Sequence, residues 1–323
     1  MRHINIDNSN SNQRVDRFIM KLMPKMSKNH IQKLIRTKKV KVNKKRTEPD
    51  YNLKIDDVVN IYLYDEVIEK YQDNKVYTAE DFNLDIIYED DDLILLNKKT
   101  GVLSHAANPQ DYGKNIVDMM VSYLIKTNQF TPTQNSTFTP ALVNRLDRNT
   151  SGIVVGAKTY DSLKYFNDLF KKHEITKIYE TIVVGNLKDQ TIDLALEKDN
   201  DKNKSVINSS GKKSMTKVWN VKNFGKYSLV NVDLLTGRTH QIRAHLSHIN
   251  HPIIGDIKYG NRDVNKYFKN KYDLNFQLLH SCKLIFPEKM GKYQKYESMV
   301  FESKRDDLFE KILNDLESKI WLR

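Results

Sequence analysis

The stretch LVNRLDRNTSGIVV, residues 142–155, carries the densest local pattern in this chain of 323 residues. One carboxylate, Asp147, stands between Arg145 and Arg148, in a turn rich in Asn, Thr, Ser and Gly that separates two apolar runs. Nearby positive charge keeps an aspartate ionised, as a nucleophile or a base must be. From these residues alone, however, a turn or capping aspartate is the better interpretation.

Alternating apolar residues on both sides of this stretch predict strands at 84–89, 92–97, 152–157, 178–184, 217–221 and 227–234. Helices are predicted at 161–172 and at about 240–247. Strands joined by hairpins, with few helices between them, indicate an α+β domain with a mixed, mostly antiparallel sheet. The segment 199–213 is rich in Asp, Asn, Lys and Ser and is predicted to be a mobile loop.

Residues 1–64 predict a small separate αβ domain. A first helix over Val15 to Leu22 is closed by Pro24, and Ser27 can cap a second helix whose apolar stripe contains Ile31. Two short strands follow around 40–42 and 58–61, with a polar loop at 43–50 between them. The polar stretch 65–82 is predicted to be a linker to a larger domain, 83–323.

The net charge of +12 is concentrated in this first domain. Residues 1–64 hold 15 Lys and Arg against 6 Asp and Glu, a net of +9, whereas the other 259 residues hold 38 against 35. A charge polarised in this way indicates a dedicated face for a polyanion, and it favours nucleic acid.

Several classes of protein are disfavoured by composition. No run approaches the roughly 18 apolar residues of a membrane span, so no membrane partner is expected. The polar start, with Asp7, resembles neither a secretory signal nor a transit peptide. Cys282 is the only cysteine, which excludes a disulfide framework and a thiolate metal cluster and fits the cytoplasm.

Residues 13–63 resemble the S4 RNA-binding domain. The matching segments are 14–19, 27–28, 31–35, 40–43 and 55–59, and two glycines common in that pattern are replaced by Lys38 and Lys44. The resemblance implies RNA contacts from the basic residues Arg14, Arg17, Lys28, Lys33, Arg36, Lys39 and Lys41. A basic helix that is merely solvated remains the alternative.

The larger domain resembles the RluA-type pseudouridine synthases, in the RluC-like branch that modifies the ribosomal large subunit. The family signature, His-Arg-Leu-Asp-x-x-Thr-Ser-Gly, is matched by residues 144–152 with Asn144 in place of His. Further matches follow in order at Lys177-Ile178-Tyr179, at TGRTHQIRAH (236–245), at HPIIGD (251–256) and at 279–281. Upstream, Lys99 replaces the proline of the usual Lys-Pro-x-Gly at 98–101.

The resemblance implies a reaction on a uridine that has left its stack. Arg145 would fill the vacated space. Asp147 would break the glycosidic bond by attack on the sugar, attack on the base or removal of a sugar proton. Tyr179 would stack on the uracil, its hydroxyl being a candidate for removing the C5 proton.

The remaining implied roles support this chemistry. Arg243 would pair with Asp147, Ile242 would form an apolar wall, and Lys177, Arg238 and His240 would bind substrate. No cofactor is implied, and the implied partner is 23S ribosomal RNA, bound by a monomer.

Other interpretations remain open at this point. Histidines 240, 245, 248 and 251 could suggest a metal, but satisfied structural histidines fit better because no cysteine or acidic cluster completes a site. Cys282 beside His280 is best explained by packing. The chain could also be a transfer-RNA pseudouridine synthase, or a ribosome-associated RNA-binding protein without catalysis.

Overall fold

A computed structural model describes residues 1–7, 10–72, 84–132, 138–199 and 204–318. The N-terminal part contains three short strands and three helices: β1 (Arg2–Asn5), α1 (Val15–Leu22), α2 (Lys28–Arg36), β2 (Val40–Val42), β3 (Val58–Ile61) and α3 (Asp65–Tyr71). The strands form an antiparallel sheet in the order β1-β3-β2.

Helices α1 and α2 form where the sequence predicts them. The Ser27 hydroxyl accepts a hydrogen bond from the His30 amide at 3.3 Å and caps α2. The apolar stripes of both helices, including Phe18 and Ile31, are buried in one core with Val40 and Val59 of the sheet. Their lysines and arginines are thereby left on the outside.

The turns at Lys38 and Lys44 keep the left-handed backbone that glycine would adopt. Both residues have φ of 61°. A side chain in this region is unfavourable by roughly 1 kcal/mol because its Cβ approaches the following carbonyl. The two substitutions therefore retain the turn geometry at a cost in stability.

The predicted linker, 65–82, begins with a helix. Within α3, Ile68 is fully buried in the N-terminal core, and Arg2 pairs with Asp65 and Glu69. Asp65 and Glu66, the two acidic residues in its first turn, stabilise this helix because their negative charge lies near the positive end of the helix dipole. Residues 73–82 lie outside the described residues, and the limits of the two domains stay a prediction.

In its described residues, the larger part of the chain contains a ten-stranded sheet, a separate two-stranded sheet, five helices and short 3-10 helices at Pro109–Asp111 and Gly291–Tyr296. Its elements are β4 (Ile86–Glu89), β5 (Leu93–Lys98), α4 (Ile116–Lys126), β6 (Ala141–Leu142), β7 (Ser151–Ala157), α5 (Tyr160–Lys172), β8 (Thr176–Val184), β9 (Gln190–Asp193), β10 (Leu196–Asp199), β11 (Lys204–Ile207), β12 (Met215–Asn223), β13 (Tyr227–Asp233), α6 (Gln241–His248), α7 (Arg262–Tyr272), β14 (Leu279–Ile285), β15 (Val300–Glu302) and α8 (Asp307–Ser318).

The main sheet has ten strands in the order β4-β5-β7-β14-β8-β13-β12-β9, with β6 on β7 and β15 on β14. Its pairs are antiparallel except β7 with β14. The predicted α+β class with a mixed, mostly antiparallel sheet is confirmed. The strands and helices predicted in this region also form, within about two residues at each end.

Both faces of this sheet are covered, because successive residues of its central strands enter different cores. Val154 and Val183 pack on the face of α4 and α6, whereas Ile153 packs with α5 and Ile182 with α7 and α8. The face of α4 and α6 is also the face on which Tyr179 lies. In the described residues, no helix is both long and apolar enough to cross a membrane.

The prediction of a loop at 199–213 is wrong in part. Strand β11 pairs with β10, and Ser205 is buried. The Ser205 amide donates to the Tyr259 hydroxyl at 2.6 Å, and the Ser205 hydroxyl donates to the Thr239 carbonyl at 2.5 Å. These partners are distant in sequence, so local composition gave no sign of them; residues 200–203 lie outside the described residues.

Candidate active site

The loop that carries Asp147 leaves a tight strand pair. Strands β6 and β7 are paired, and the Val143 amide donates to the Val155 carbonyl at 2.8 Å. The Asn144 side chain then continues the ladder: its Oδ1 accepts from the Val155 amide at 2.8 Å and its Nδ2 donates to the Ile153 carbonyl at 3.2 Å. The replacement of the family histidine thus leaves this end of the loop anchored.

A buried lysine, Lys98, anchors the same loop through hydrogen bonds to backbone carbonyls. The Lys98 amine donates to the carbonyls of Lys99, Val102 and Arg148 at 3.1, 2.8 and 3.0 Å, which matches the three donors of an ammonium group. Burial lowers the pKa of Lys98 to about 7, against the opposing effect of the Asp147 carboxylate. Lys98 therefore fixes the backbone of the residue that follows Asp147.

A glycine allows the loop to end close to β14. Gly152 has φ of 109°, and a Cβ there would lie 2.2 Å from the Ser281 carbonyl oxygen. Beside it, the Ser151 hydroxyl lies 2.9 Å from His280 Nδ1. His280 therefore helps to hold the end of the loop. Burial raises the pKa of the nearby Cys282 thiol to about 12, which disfavours a reactive thiolate.

The central feature of the site is an arginine between two carboxylates. The Arg243 Nη1 donates to Asp147 Oδ2 at 3.1 Å, while its Nε and Nη2 donate to the two oxygens of Asp256 at 2.7 and 2.9 Å. Burial opposes the charge, but Asp256 and then Asp147 outweigh it and hold the pKa of Arg243 above its usual value. The guanidinium is thus a fixed cation that orients Asp147.

Asp147 is the accessible partner of this trio. Its side chain is 35% exposed, whereas the side chains of Arg243 and Asp256 are 7% and 0% exposed. A histidine is also close, since His240 Nε2 lies 3.7 Å from Asp147 Oδ2. Burial lowers the pKa of His240 despite the opposing carboxylate, so the neutral imidazole is favoured.

Tyr259 closes the site from the side of the β10–β11 hairpin. Its hydroxyl lies 3.1 Å from His240 Nδ1, and the Arg243 guanidinium lies over its ring at 5.1 Å. His240, the residue before α6, has a left-handed backbone with φ of 52°. Because the Ser205 amide of β11 donates to the Tyr259 hydroxyl, the hairpin supports the packing around Asp147 through Tyr259.

Tyr179 and Ile242 supply apolar surface. Both are buried in the core on the same face of the sheet. Burial raises the pKa of Tyr179 well above its usual value, and the charge of Asp147 acts in the same direction. The neutral phenol is therefore strongly favoured, which suits stacking.

Comparisons with known proteins show the family of this chain. A family model described as RNA pseudouridylate synthase matches residues 92–248, and an S4 domain model matches residues 13–59. The ribosomal large subunit pseudouridine synthase C of Buchnera aphidicola is 32% identical over 97% of this chain and 96% of its own length. The chain belongs to the RNA pseudouridylate synthase family. It is an isomerase of RNA, as the sequence analysis predicted.

One further relative and one solved structure extend the comparison for this RNA pseudouridylate synthase. The protein of Vibrio vulnificus with the same name as the Buchnera one is 32% identical over 88% of this chain and 87% of that protein. Among solved structures, human RNA pseudouridylate synthase domain containing 4 has a TM-score of 0.57 at 21% identity, covering 72% of this chain and 92% of that chain. The last match shows the shared fold.

Three other residues that the sequence analysis assigned to the site of the synthase are Arg145, Lys177 and Arg238. Arg145 is exposed on the loop beside His105, whose pKa is lowered by burial and then by the Arg145 cation. Lys177 is buried on β8, and Arg238 is half-buried in the segment before α6.

The structure places the seven predicted RNA-binding residues in three settings. Arg14 is paired with Asp16, and Arg17 is exposed on α1. Lys28, Lys33, Arg36 and Lys39 are exposed on or just after α2, and Lys41 lies over the Tyr62 ring. Lys33 and Arg36 line a surface groove of about 510 Å³ that Arg46 also lines.

The histidines considered as metal ligands have other partners. His245 is fully buried between Ser214 and Thr216, at 3.0 Å from each hydroxyl. His251 lies 2.8 Å from the Val184 carbonyl. Within the described part of the chain, no group of three or more His, Cys, Asp or Glu residues could hold a metal ion.

Three supporting residues of the synthase were missed as site residues: Lys98, Asp256 and Tyr259. All three stand inside or next to the matched segments, so their position in the sequence was the available signal. The position of a residue in the sequence does not reveal its contacts. The Asp256 carboxylate meets Arg243 from a separate loop, and Lys98 reaches the Arg148 carbonyl across 50 positions.

Proposed function

We propose that this synthase isomerises specific uridines of 23S ribosomal RNA to pseudouridine, with Asp147 as the catalytic residue. The relatives named above are large-subunit enzymes by name, and the chain shares nearly their whole length. The observation that carries the catalytic assignment is that Asp147 alone of the buried Asp147–Arg243–Asp256 trio reaches solvent.

The geometry supports a division of labour around a flipped nucleotide. Flipping costs a few kcal/mol, and exposed Arg145, which has no ion pair among the described residues, is free to occupy the vacated stack. The uracil stacks on Tyr179 beside the apolar wall of Ile242. Asp147, held by Arg243, then acts to break the bond from the sugar to N1, and the uracil reattaches through C5.

The structure bears on the proposed roles of Tyr179. Because its pKa is raised, the phenolate that would take the C5 proton most effectively is scarce at neutral pH. Stacking is thus the role that we assign first. Asp147 lies close enough for its charge to contribute to that raised pKa, so a proton could also pass to this carboxylate.

The remaining parts of the proposal concern setting and partners. The S4 domain binds the RNA through the exposed cations of α2 and through Lys41 of β2. The enzyme works in the cytoplasm as a monomer that needs no cofactor. Binding then has a strong salt dependence, because each phosphate contact releases counterions.

The test compares wild type and Asp147→Asn on unmodified 23S, 16S and transfer RNA, with pseudouridine mapped at single-nucleotide resolution. We expect wild type to modify sites in 23S RNA, and Asp147→Asn to bind that RNA without modifying it. Modification of transfer RNA alone would overturn the substrate. Binding without modification by wild type would leave a non-catalytic RNA-binding protein.

A further inference from the structure

We propose that Tyr259 is a positioning residue of this synthase, which holds the ring of His240 with its Nε2–H toward Asp147. This inference deepens the proposed function and rests on it, because it concerns the carboxylate that acts on the flipped uridine. Its basis is a row of contacts that begins at the Ser205 amide, passes through the Tyr259 hydroxyl and the His240 ring, and ends at Asp147 Oδ2.

The first contact in this row has a fixed direction. A backbone N–H can only donate, so the Ser205 amide, 2.6 Å from the Tyr259 hydroxyl, uses that oxygen as its acceptor. The hydroxyl keeps one proton of its own to donate. In the part of the chain that the structure describes, its other hydrogen-bond partner is His240 Nδ1, at 3.1 Å. The hydroxyl therefore donates to Nδ1, which is the unprotonated nitrogen of the ring.

The opposite edge of the ring requires the same arrangement. His240 Nε2 lies 3.7 Å from Asp147 Oδ2. In a neutral imidazole, one nitrogen carries a proton and the other carries a lone pair. A proton on Nε2 attracts the carboxylate, whereas a lone pair on Nε2 would repel it. A hydroxyl donor at Nδ1 and an anion at Nε2 thus select the same tautomer.

The surroundings of His240 favour the neutral ring that this arrangement needs. Burial lowers the pKa of His240, and the carboxylate of Asp147 acts in the opposite direction. Of the other charges that face the ring, Arg243 and Lys258 lower its pKa and Asp256 raises it. A hydroxyl that donates to Nδ1 adds to the effect of burial, because only the unprotonated nitrogen can accept its hydrogen bond.

The consequence for Asp147 is that its two oxygens differ. Oδ2 accepts from Arg243 Nη1 at 3.1 Å and faces His240 Nε2, whereas no hydrogen bond to Oδ1 is found among the described residues. Because the Asp147 side chain is 35% exposed, Oδ1 is the oxygen that can meet a flipped nucleotide. The 3.7 Å separation is longer than a hydrogen bond, as catalytic contacts often are before substrate binds. Tyr259 thus acts on Asp147 through His240.

The ring of Tyr259 is held separately from its hydroxyl. The Arg243 guanidinium lies over this ring at 5.1 Å, and the His240 ring meets it edge to face with centroids 5.7 Å apart. The Ser205 hydroxyl donates to the Thr239 carbonyl at 2.5 Å, so the hairpin also holds the backbone next to His240. The change Tyr259→Phe therefore removes the contacts of the hydroxyl and leaves the ring packed.

The test compares Tyr259→Phe with the matched control Tyr272→Phe. The Tyr272 hydroxyl also both accepts and donates, from Lys271 at 2.7 Å and to Asp315 at 2.9 Å. It belongs to the core of α7 and α8, on the other face of the sheet. For an RNA fragment that wild type modifies, we expect Tyr259→Phe to lower kcat about tenfold at neutral pH and to change KM by less than about twofold, because orientation and not binding is lost.

The pH profile separates this role from a general loss of structure. Acidification protonates His240 and places a cation beside Asp147, so kcat should fall. The pH of half-maximal kcat should be higher in Tyr259→Phe than in wild type, because the ring of His240 has lost the donor that favours its neutral form. Tyr272→Phe should match wild type in kcat, KM and pH profile.

Side-chain nitrogen NMR of the free enzyme shows the His240 ring directly. Its signals are assigned by their loss in His240→Asn, since Asn tolerates the left-handed backbone at this position. In wild type at neutral pH, we expect a proton on Nε2 and none on Nδ1. A proton on Nδ1 of wild type, or a Tyr259→Phe enzyme with the kcat and pH profile of Tyr272→Phe, would overturn the role of Tyr259. If wild type modifies no RNA, the proposed function fails, and the NMR signals still decide how the ring of His240 is held.

Discussion

In the active site, the Arg243 guanidinium is nearly inaccessible and has its three nitrogens committed to Asp147 and Asp256, whereas on α2 the cations Lys33 and Arg36 extend into solvent along an open groove. Both regions contain positive charge, but the active-site arginine is fixed in a single arrangement by its hydrogen bonds, whereas the cations of α2 can adopt many side-chain arrangements. Catalysis requires an oriented carboxylate, while attraction of a polyanion requires only charge density. Substitutions should therefore have large, non-additive effects in the first region and small, additive ones in the second.

The largest effect is expected from Asp256→Asn. This change removes the negative charge that pairs with Arg243 on the side away from Asp147. Breaking a buried ion pair lowers the unfolding free energy by about 3–5 kcal/mol. We expect kcat to fall by about 100-fold, since displacement of a positioning group by about 1 Å has effects of that order. Single-turnover pseudouridine formation and urea unfolding measure the two quantities.

Asp91→Asn is the control for Asp256→Asn, because Asp91 is an exposed carboxylate in a turn. It should match wild type in both measurements. A normal rate for Asp256→Asn in a stably folded protein would show that Arg243 needs no second carboxylate.

The next effect concerns Lys98→Met. Three carbonyls lose their shared donor, and the backbone after Asp147 loses its anchor, so we expect an unfolding free energy lower by about 3 kcal/mol and kcat lower by about tenfold. Lys99→Met is the matched control at an exposed neighbour. Equal effects of the two changes would contradict the anchoring role.

Lys98 also predicts a pH dependence of stability. Its pKa is about 7 in the folded protein against 10.5 as the ordinary value, so the unfolded chain binds more protons between these limits. The contribution of Lys98 to the unfolding free energy should therefore rise from pH 7 to 10.5 and be lost as the pH falls through 7. Urea unfolding of wild type and Lys98→Met across this range tests it: a constant difference between them would refute the titration.

On the N-terminal groove, we expect Lys33→Gln and Arg36→Gln each to weaken RNA binding several-fold. Each should lower the salt slope by about 0.7–0.9 and leave kcat at saturating RNA unchanged, because the charges act through phosphates. Filter binding at several salt concentrations measures this, with Lys70→Gln on α3 as the control of equal charge. Strongly non-additive effects in the double variant would mean that this region is as preorganised as the active site.

The smallest effect is expected from Lys38→Gly. Glycine takes the left-handed backbone of Lys38 without strain, so the unfolding free energy should rise by up to about 1 kcal/mol. The neighbour Lys39 does not have a positive φ, and Lys39→Gly should instead lower stability. Urea unfolding tests this prediction: the midpoint should be higher for Lys38→Gly than for Lys39→Gly, and the opposite order would contradict it.

The sequence by itself determined the family, the S4-like module and the positions of most sheet strands, and it predicted Asp147 and Arg243 as site residues. Periodicity sufficed for the strands, since Val154 and Ile153 must face opposite cores whichever strand is next to them. The prediction of Asp147 came from the ordered motifs, because its own surroundings in the sequence favoured only a turn.

Only the tertiary structure decided which partners hold those residues. Arg243 meets Asp147 across 96 positions of the chain, Lys98 meets the Arg148 carbonyl across 50, and the buried Ser205 of a polar segment meets Tyr259 across 54. The type of a residue determines the free-energy cost of burying it. It does not identify the hydrogen-bond donor or acceptor that offsets this cost, because distant elements bring that partner into contact when they pack.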